Sequence, residues 1–116
     1  MLPTTSYKRG DILLVPFPFS DQTSAKQRPA LVISSDPFQQ EGPDLLLMAI
    51  TSQIGGVLRL GEFLIRDWQP AGLLKPSAVK AAITTIEAKL IRRRLGRLSV
   101  HDLQQLDISL RKLLSL

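Results

Sequence analysis

The chain has 116 residues, of which 44% are apolar, which suits one folded domain with a single modest core. Lys and Arg number 15 against 10 Asp and Glu, and the resulting net charge of +5 favours a polyanionic partner over a cationic one. Cysteine is absent and aromatics are 5%, so disulfides, thiol nucleophiles and thiolate metal sites are excluded, and stacking platforms for bases are few.

Residues 1–8 read as a frayed lead-in without the apolar core of a signal peptide, so a cytoplasmic location is expected. "DILLVPFPF" (11–19) is a short apolar strand closed by Pro16 and Pro18. Proline cannot donate to a ladder, so the second half of that strand should lie at an edge or leave the sheet. "SDQTSAKQ" (20–27) is a polar loop, and "PALVIS" (29–34) is a second strand. "SDPFQQEGPD" (35–44) is turn chemistry throughout, with Asp-Pro and Gly-Pro pairs. "LLLMAITS" (45–52) is apolar enough to be a central strand.

"QIGGVLRLG" (53–61) reads as a loop, "EFLIRDW" (62–68) as a partly alternating strand, and "QPAGLLKPS" (69–77) as irregular. "AVKAAITTIEA" (78–88) is β-branched and forms one or two strands. "KLIRRRLGRL" (89–98) reads as a basic connector with one helical turn. The terminal segment is helical: Ser99 caps it, Asp102 stands in the capping-box position, and Leu103, Leu106, Leu110, Leu113 and Leu114 mark one face. Arg111 and Lys112 fall in its last turn, where the helix dipole favours cations. No apolar run is long enough to span a bilayer as a helix. Short strands, hairpin-length loops and one closing helix predict a single mainly-β domain over 1–116. Its architecture is an SH3-like barrel or a coiled antiparallel sheet with a C-terminal helix.

The available chemistry is narrow. His101 is the only histidine and lies in the first turn of the helix, so a histidine pair is impossible. The carboxylates show no metal-loop spacing, and no glycine-rich phosphate loop with its lysine is present, so neither a metal nor another cofactor is expected. Arginine, lysine and hydroxyls remain. RNA carries its own nucleophile, the 2′-hydroxyl, and needs only in-line positioning and stabilisation of phosphoryl charge. Arg28 precedes Pro29, which biases its backbone toward extended geometry. It is either a preorganised cation for a phosphate or a structural arginine paired with Asp11 or Asp36. Thr51 is either a phosphate-binding hydroxyl or a strand-end threonine that satisfies backbone. The cluster Lys89, Arg92, Arg93, Arg94 and Arg97 is either a salt-sensitive nucleic-acid track or a solvated connector.

Three segments occur in a fixed order: "RGDILLVPFPF" (9–19), "RPALVIS" (28–34) and "AITSQ" (49–53). Together with "LLKPSAVKAAITTIEAKLIRRRLGRLS" and the leucine-rich tail, this set resembles the MazF/PemK toxins of bacterial type II toxin–antitoxin systems over residues 9–114. The resemblance implies a homodimeric, metal-independent, sequence-selective endoribonuclease that cleaves single-stranded RNA. It also implies inhibition by an antitoxin with an acidic, flexible C-terminal segment, and DNA binding together with that antitoxin. Arg28 and Thr51 match the family's catalytic pair. Asp21, Lys26 and Gln27 fall in the loop that folds over RNA, and Ser52 and Gln53 follow the catalytic threonine. Many relatives carry a glycine in that loop and some a histidine; this chain has neither. A non-cleaving nucleic-acid-binding module and a gyrase-poisoning toxin are the alternatives within the same fold. A monomer in sedimentation at micromolar concentration would count against the dimer.

Overall fold

The computed structural model describes residues 6–17 and 26–116. Among the described residues six strands form one sheet: β1 (Asp11–Phe17), β2 (Lys26–Val32), β3 (Asp44–Thr51), β4 (Phe63–Leu64), β5 (Ala78–Glu87) and β6 (Arg93–Arg97). Two helices accompany them, α1 (Asp36–Gln40) and α2 (Val100–Leu114), with one 3-10 turn at Ala88–Leu90. The order across the sheet is β4-β5-β3-β2-β1-β6, and every neighbouring pair is antiparallel. The sheet curls into a half-barrel, so the coiled-sheet alternative describes the fold.

Curling lets a two-sided sheet bury both faces. Period-two alternation sends Ile12, Leu31, Met48 and Ile50 to one core, where Leu106 and Leu110 of α2 cover them. Their strand neighbours Leu13, Ala30, Val32 and Leu47 form a second core on the other face. Tyr7 packs against that second core and the Lys8 amide donates to the Asp11 carboxylate at 2.8 Å. Residues 7 and 8 are therefore tied down and not frayed; residues 1–5 lie outside the described residues.

Several elements differ from the sequence expectation. The second strand begins at Lys26, three residues early, because β1 pairs with it as far as Phe17↔Lys26. Arg28 therefore lies inside a strand and not at its mouth. The turn expected at 35–44 contains α1, capped by the Ser35 hydroxyl, which accepts from the Phe38 amide at 3.3 Å. Only Phe63–Leu64 of the 62–68 segment is strand. The connector expected at 89–98 holds the end of the 3-10 turn and then β6, an edge strand whose arginines guard the end of the sheet. Pro16 behaves as anticipated: β6 pairs only with Asp11–Leu14, so the second half of β1 has β2 as its single partner. Pro18 lies outside the described residues.

Helix α2 begins and ends as its sequence dictates. The Ser99 hydroxyl accepts from the Asp102 amide at 3.2 Å, and Ser115 closes the helix in the left-handed region at φ 58°. Leu103 and Leu113 pack against the first core beside Leu106 and Leu110, whereas Leu114 is half exposed and off the stripe. Asp102 does not complete a capping box. It is fully buried, and its oxygens accept from the Arg66 and Asp67 amides at 3.0 and 2.9 Å. It thus fastens the turn after β4 to the start of α2. The Asp67 carboxyl is held below its ordinary pKa of 3.8, first by Arg66 and then by the Ser99 hydroxyl. No helix among the described residues is long and apolar enough to cross a membrane.

Candidate active site

Strand register decides which side chains meet. β2 and β3 pair at Ala30↔Ala49, Leu31↔Met48 and Val32↔Leu47, and the pairing stops there. Carried two residues further, the same register sets Arg28 opposite Thr51, on the sheet face shared by Ala30 and Ala49. Past Ala30 and Ala49 the strands part. Pro29 stands where the ladder to β3 has not begun, so its missing amide proton takes nothing from the β2–β3 pairing.

A cavity of about 350 Å³ opens in this gap. Arg28 and Pro29 of β2 line one wall, and Ile50, Thr51 and Ser52 at the end of β3 line the next. The segment 72–77 contributes Gly72, Leu73, Leu74, Lys75 and Ser77, while Arg93 and Leu95 of β6 and Leu14 of β1 complete it. Among the described residues three cations line this cavity, Arg28, Lys75 and Arg93, and no Asp or Glu does.

Two glycines set the distance between the walls. A Cβ on Gly72 would lie 2.1 Å from the Leu95 carbonyl oxygen, and one on Gly96 would lie 2.1 Å from that of Ala71. Gly72 also holds φ +91°, a conformation that L side chains rarely adopt. The irregular 69–77 segment can therefore sit backbone-to-backbone against β6. The buried Ser77 hydroxyl then donates to the Lys75 carbonyl at 2.8 Å and pins the turn that carries Lys75.

The expected site residues divide. Arg28, Thr51 and Ser52 line the cavity. The Thr51 Oγ1 accepts from the Gln53 amide at 3.1 Å, so the strand-end role is present. That bond uses a lone pair and leaves the hydroxyl proton to be donated elsewhere. Lys26, Gln27 and Gln53 are exposed and do not line the cavity. Asp21 lies outside the described residues.

The structural reading of Arg28 as a partner of Asp11 meets a register difficulty. Asp11 stands four residues along β1 from Val15, the residue paired with Arg28. Its buried carboxylate is bonded by Arg97 at 2.9 Å and lies 3.8 Å from Arg94. Those two contacts also split the basic cluster. Arg94 and Arg97 serve Asp11, Lys89 pairs with Glu87 at 3.6 Å, and Arg93 lines the cavity. Members of the cluster therefore stand in three different settings. His101 sits half-buried in the first turn of α2 and is no part of the cavity.

Sequence reasoning missed Lys75, although it precedes Pro76 as Arg28 precedes Pro29. It named Arg93 only as one of a basic cluster, because its place in the cavity follows from the pairing Leu14↔Arg93.

A family model described as "PemK-like, MazF-like toxin of type II toxin-antitoxin system" matches residues 8–114. The chain belongs to this toxin family. No curated protein matches it in sequence. Among solved structures it is similar to a Mycobacterium tuberculosis toxin, MazF-mt6, with 20% identity and a TM-score of 0.73, covering 91% of this chain and 97% of that one. MazF from Deinococcus radiodurans superposes with a TM-score of 0.70 at 20% identity, over 98% of this chain and 100% of that one. An endoribonuclease in complex with its cognate antitoxin, from a mycobacterial species, gives 0.73 at 17% identity over 97% of both chains. At these identities the likeness establishes the shared MazF fold.

Proposed function

We propose that this PemK/MazF-family toxin is an endoribonuclease that cleaves single-stranded RNA through the RNA's own 2′-hydroxyl. The observation that carries this reading is the cavity in which Arg28 and Thr51 lie on adjoining walls, lined by cations and, among the described residues, by no carboxylate. The Arg28 fork suits two phosphoryl oxygens, whose negative charge grows as the 2′-oxygen attacks. In this reading the Thr51 hydroxyl, which accepts from the Gln53 amide, donates its proton to one of those oxygens. The 2′-oxygen bonds to phosphorus and the bond to the 5′-oxygen breaks. The hydroxyl proton passes to solvent and the departing oxygen takes one up. The products are a 2′,3′-cyclic phosphate and a 5′-hydroxyl. Arg28 acts here as an electrostatic clamp and not as the proton donor.

The same cationic cavity suits an antitoxin's acidic segment, which would compete with RNA for it. A homodimer is part of this reading, with the exposed apolar side chains Val100, Ile108 and Leu114 of α2 as candidate contacts.

Purified protein incubated with a long single-stranded RNA in excess EDTA is expected to give discrete fragments. Intact RNA with a mobility shift would replace this reading with a binding module. Intact RNA together with cleaved plasmid in a gyrase assay would replace it with a gyrase poison.

A further inference from the structure

We infer that Lys75 and Arg93 hold the phosphate next to the scissile one, so that the cavity grips two consecutive phosphates of one RNA strand. This inference rests on the ribonuclease reading and extends it to residues outside the Arg28–Thr51 pair.

Charge gives the first reason. One phosphodiester carries a single negative charge, and Arg28 alone can match it in shape and sign. Lys75 and Arg93 add two further cations to the same cavity, with no carboxylate among its described lining residues to answer them. Among the described residues neither has an ion-pair partner, whereas their neighbours Arg94 and Arg97 are held by Asp11. Like charges gathered around one cavity repel unless an anion fills it. A ligand with two phosphates balances them better than a ligand with one.

Placement gives the second. The register Arg93↔Leu14↔Pro29 runs across three strands, so Arg93 stands two strand spacings, about 10 Å, from the backbone that carries Arg28. By strand alternation Arg28 shares the face of Ala30 and Arg93 that of Leu14 and Pro29, yet both line the cavity, so cations set this far apart leave room for more than one phosphate. Lys75 comes from the third wall. Its turn is pinned by Ser77 and Pro76, and its segment lies against β6 through the Gly72–Leu95 approach. Lys75 and Arg93 therefore ride on backbones locked to each other, as a preorganised binding pair requires.

The test uses the full chain, a 2′-O-methyl RNA 20-mer of mixed sequence as uncleavable probe, and the salt dependence of its affinity. For a single strand, each phosphate no longer neutralised by the protein lowers the slope of log K against log salt by about 0.7. Lys75→Gln and Arg93→Gln should each lower it by about that amount, and the double variant by about 1.4. Arg93→Lys should restore most of the slope. Lys112→Gln on α2 makes the same change in net charge outside the cavity and should leave the slope unchanged. With cleavable RNA, the two glutamine variants should raise KM roughly tenfold each while kcat stays within about twofold, the signature of weakened ground-state binding.

Unchanged slopes in protein that still cuts RNA would overturn this inference alone. An equal fall in Lys112→Gln would reduce it to general charge and overturn it too. Unchanged RNA slopes with weakened binding of a polyglutamate peptide would assign the pair to an acidic protein segment instead. Wild-type protein that binds RNA but cuts nothing would overturn the ribonuclease reading, and failure to bind RNA would overturn both.

Discussion

Arg28→Ala should lower kcat/KM on single-stranded RNA by about a thousandfold, or ~4 kcal/mol of transition-state stabilisation. The size follows from where charge develops. As the 2′-oxygen attacks, negative charge accumulates on the phosphoryl oxygens, and the guanidinium beside them gains more in the transition state than in the bound substrate. Loss of Arg28 should therefore appear mainly in kcat, unlike loss of Lys75 or Arg93. Arg28→Lys keeps the charge and discards the fork, so it should recover only part of the rate. The Arg28 side chain is exposed, so thermal melts run beside the kinetics separate lost chemistry from lost packing. Single-turnover kinetics with thermal melts of each variant check this expectation. A variant that melts normally and still cuts at the wild-type rate would remove Arg28 from the chemistry.

Gly72→Ala should cost about 3 kcal/mol in folding, a fall of roughly 10 °C in Tm. Two penalties combine. The backbone at φ +91° disfavours any L side chain, and the added methyl would meet the Leu95 carbonyl at 2.1 Å. The neighbour is backbone and cannot rotate aside, so either β6 or the 69–77 segment must shift. That shift moves Lys75 and Ser77 relative to Arg93, so KM for RNA should rise in the protein that remains folded. Gly42→Ala is the control, since nothing lies within 4 Å of a Cβ at that position. Melting curves and initial rates measured on both variants separate this close approach from a general effect of replacing glycine. Equal stability of the two variants would contradict it.

Much of the fold was legible because periodicity and punctuation agreed. The runs at 12–15 and 45–50 alternate into two cores, and Ser99 with the leucines at 103, 106 and 110 announced α2. β6 was illegible for a physical reason. An edge strand needs charge on its outer side, and "RRRLGR" carries so much that it reads as solvated chain. The bulge in β6 between the Ile12 and Leu13 pairings also breaks the alternation that would have marked it. α1 was hidden because Asp-Pro and Ser serve helix starts and turns equally well. Asp102 looked like a local cap and does bond Ser99, yet its carboxylate also accepts from the amides of Arg66 and Asp67, some 35 residues earlier in the chain.

The candidate site was legible in half. Arg28 opens one motif and Thr51 sits inside another, and the β2–β3 register explains why two residues far apart in the chain share one opening. The other half depends on Gly72 and Gly96 bringing a loop against an edge strand. No local pattern records that approach, so Lys75 and Arg93 could be placed only once the backbone was known.

The decisive measurement is a single-atom change in the substrate. Once a cut has been mapped in a long RNA, an oligonucleotide spanning it can be made with one 2′-deoxy nucleotide immediately 5′ of the scissile phosphate. If the 2′-oxygen is the nucleophile, this linkage resists cleavage at every enzyme concentration that consumes the all-ribose control, while affinity falls by less than about tenfold. Cleavage of the deoxy linkage at a rate comparable to the control would mean that the attacking oxygen comes from elsewhere, and the Arg28–Thr51 mechanism would be wrong.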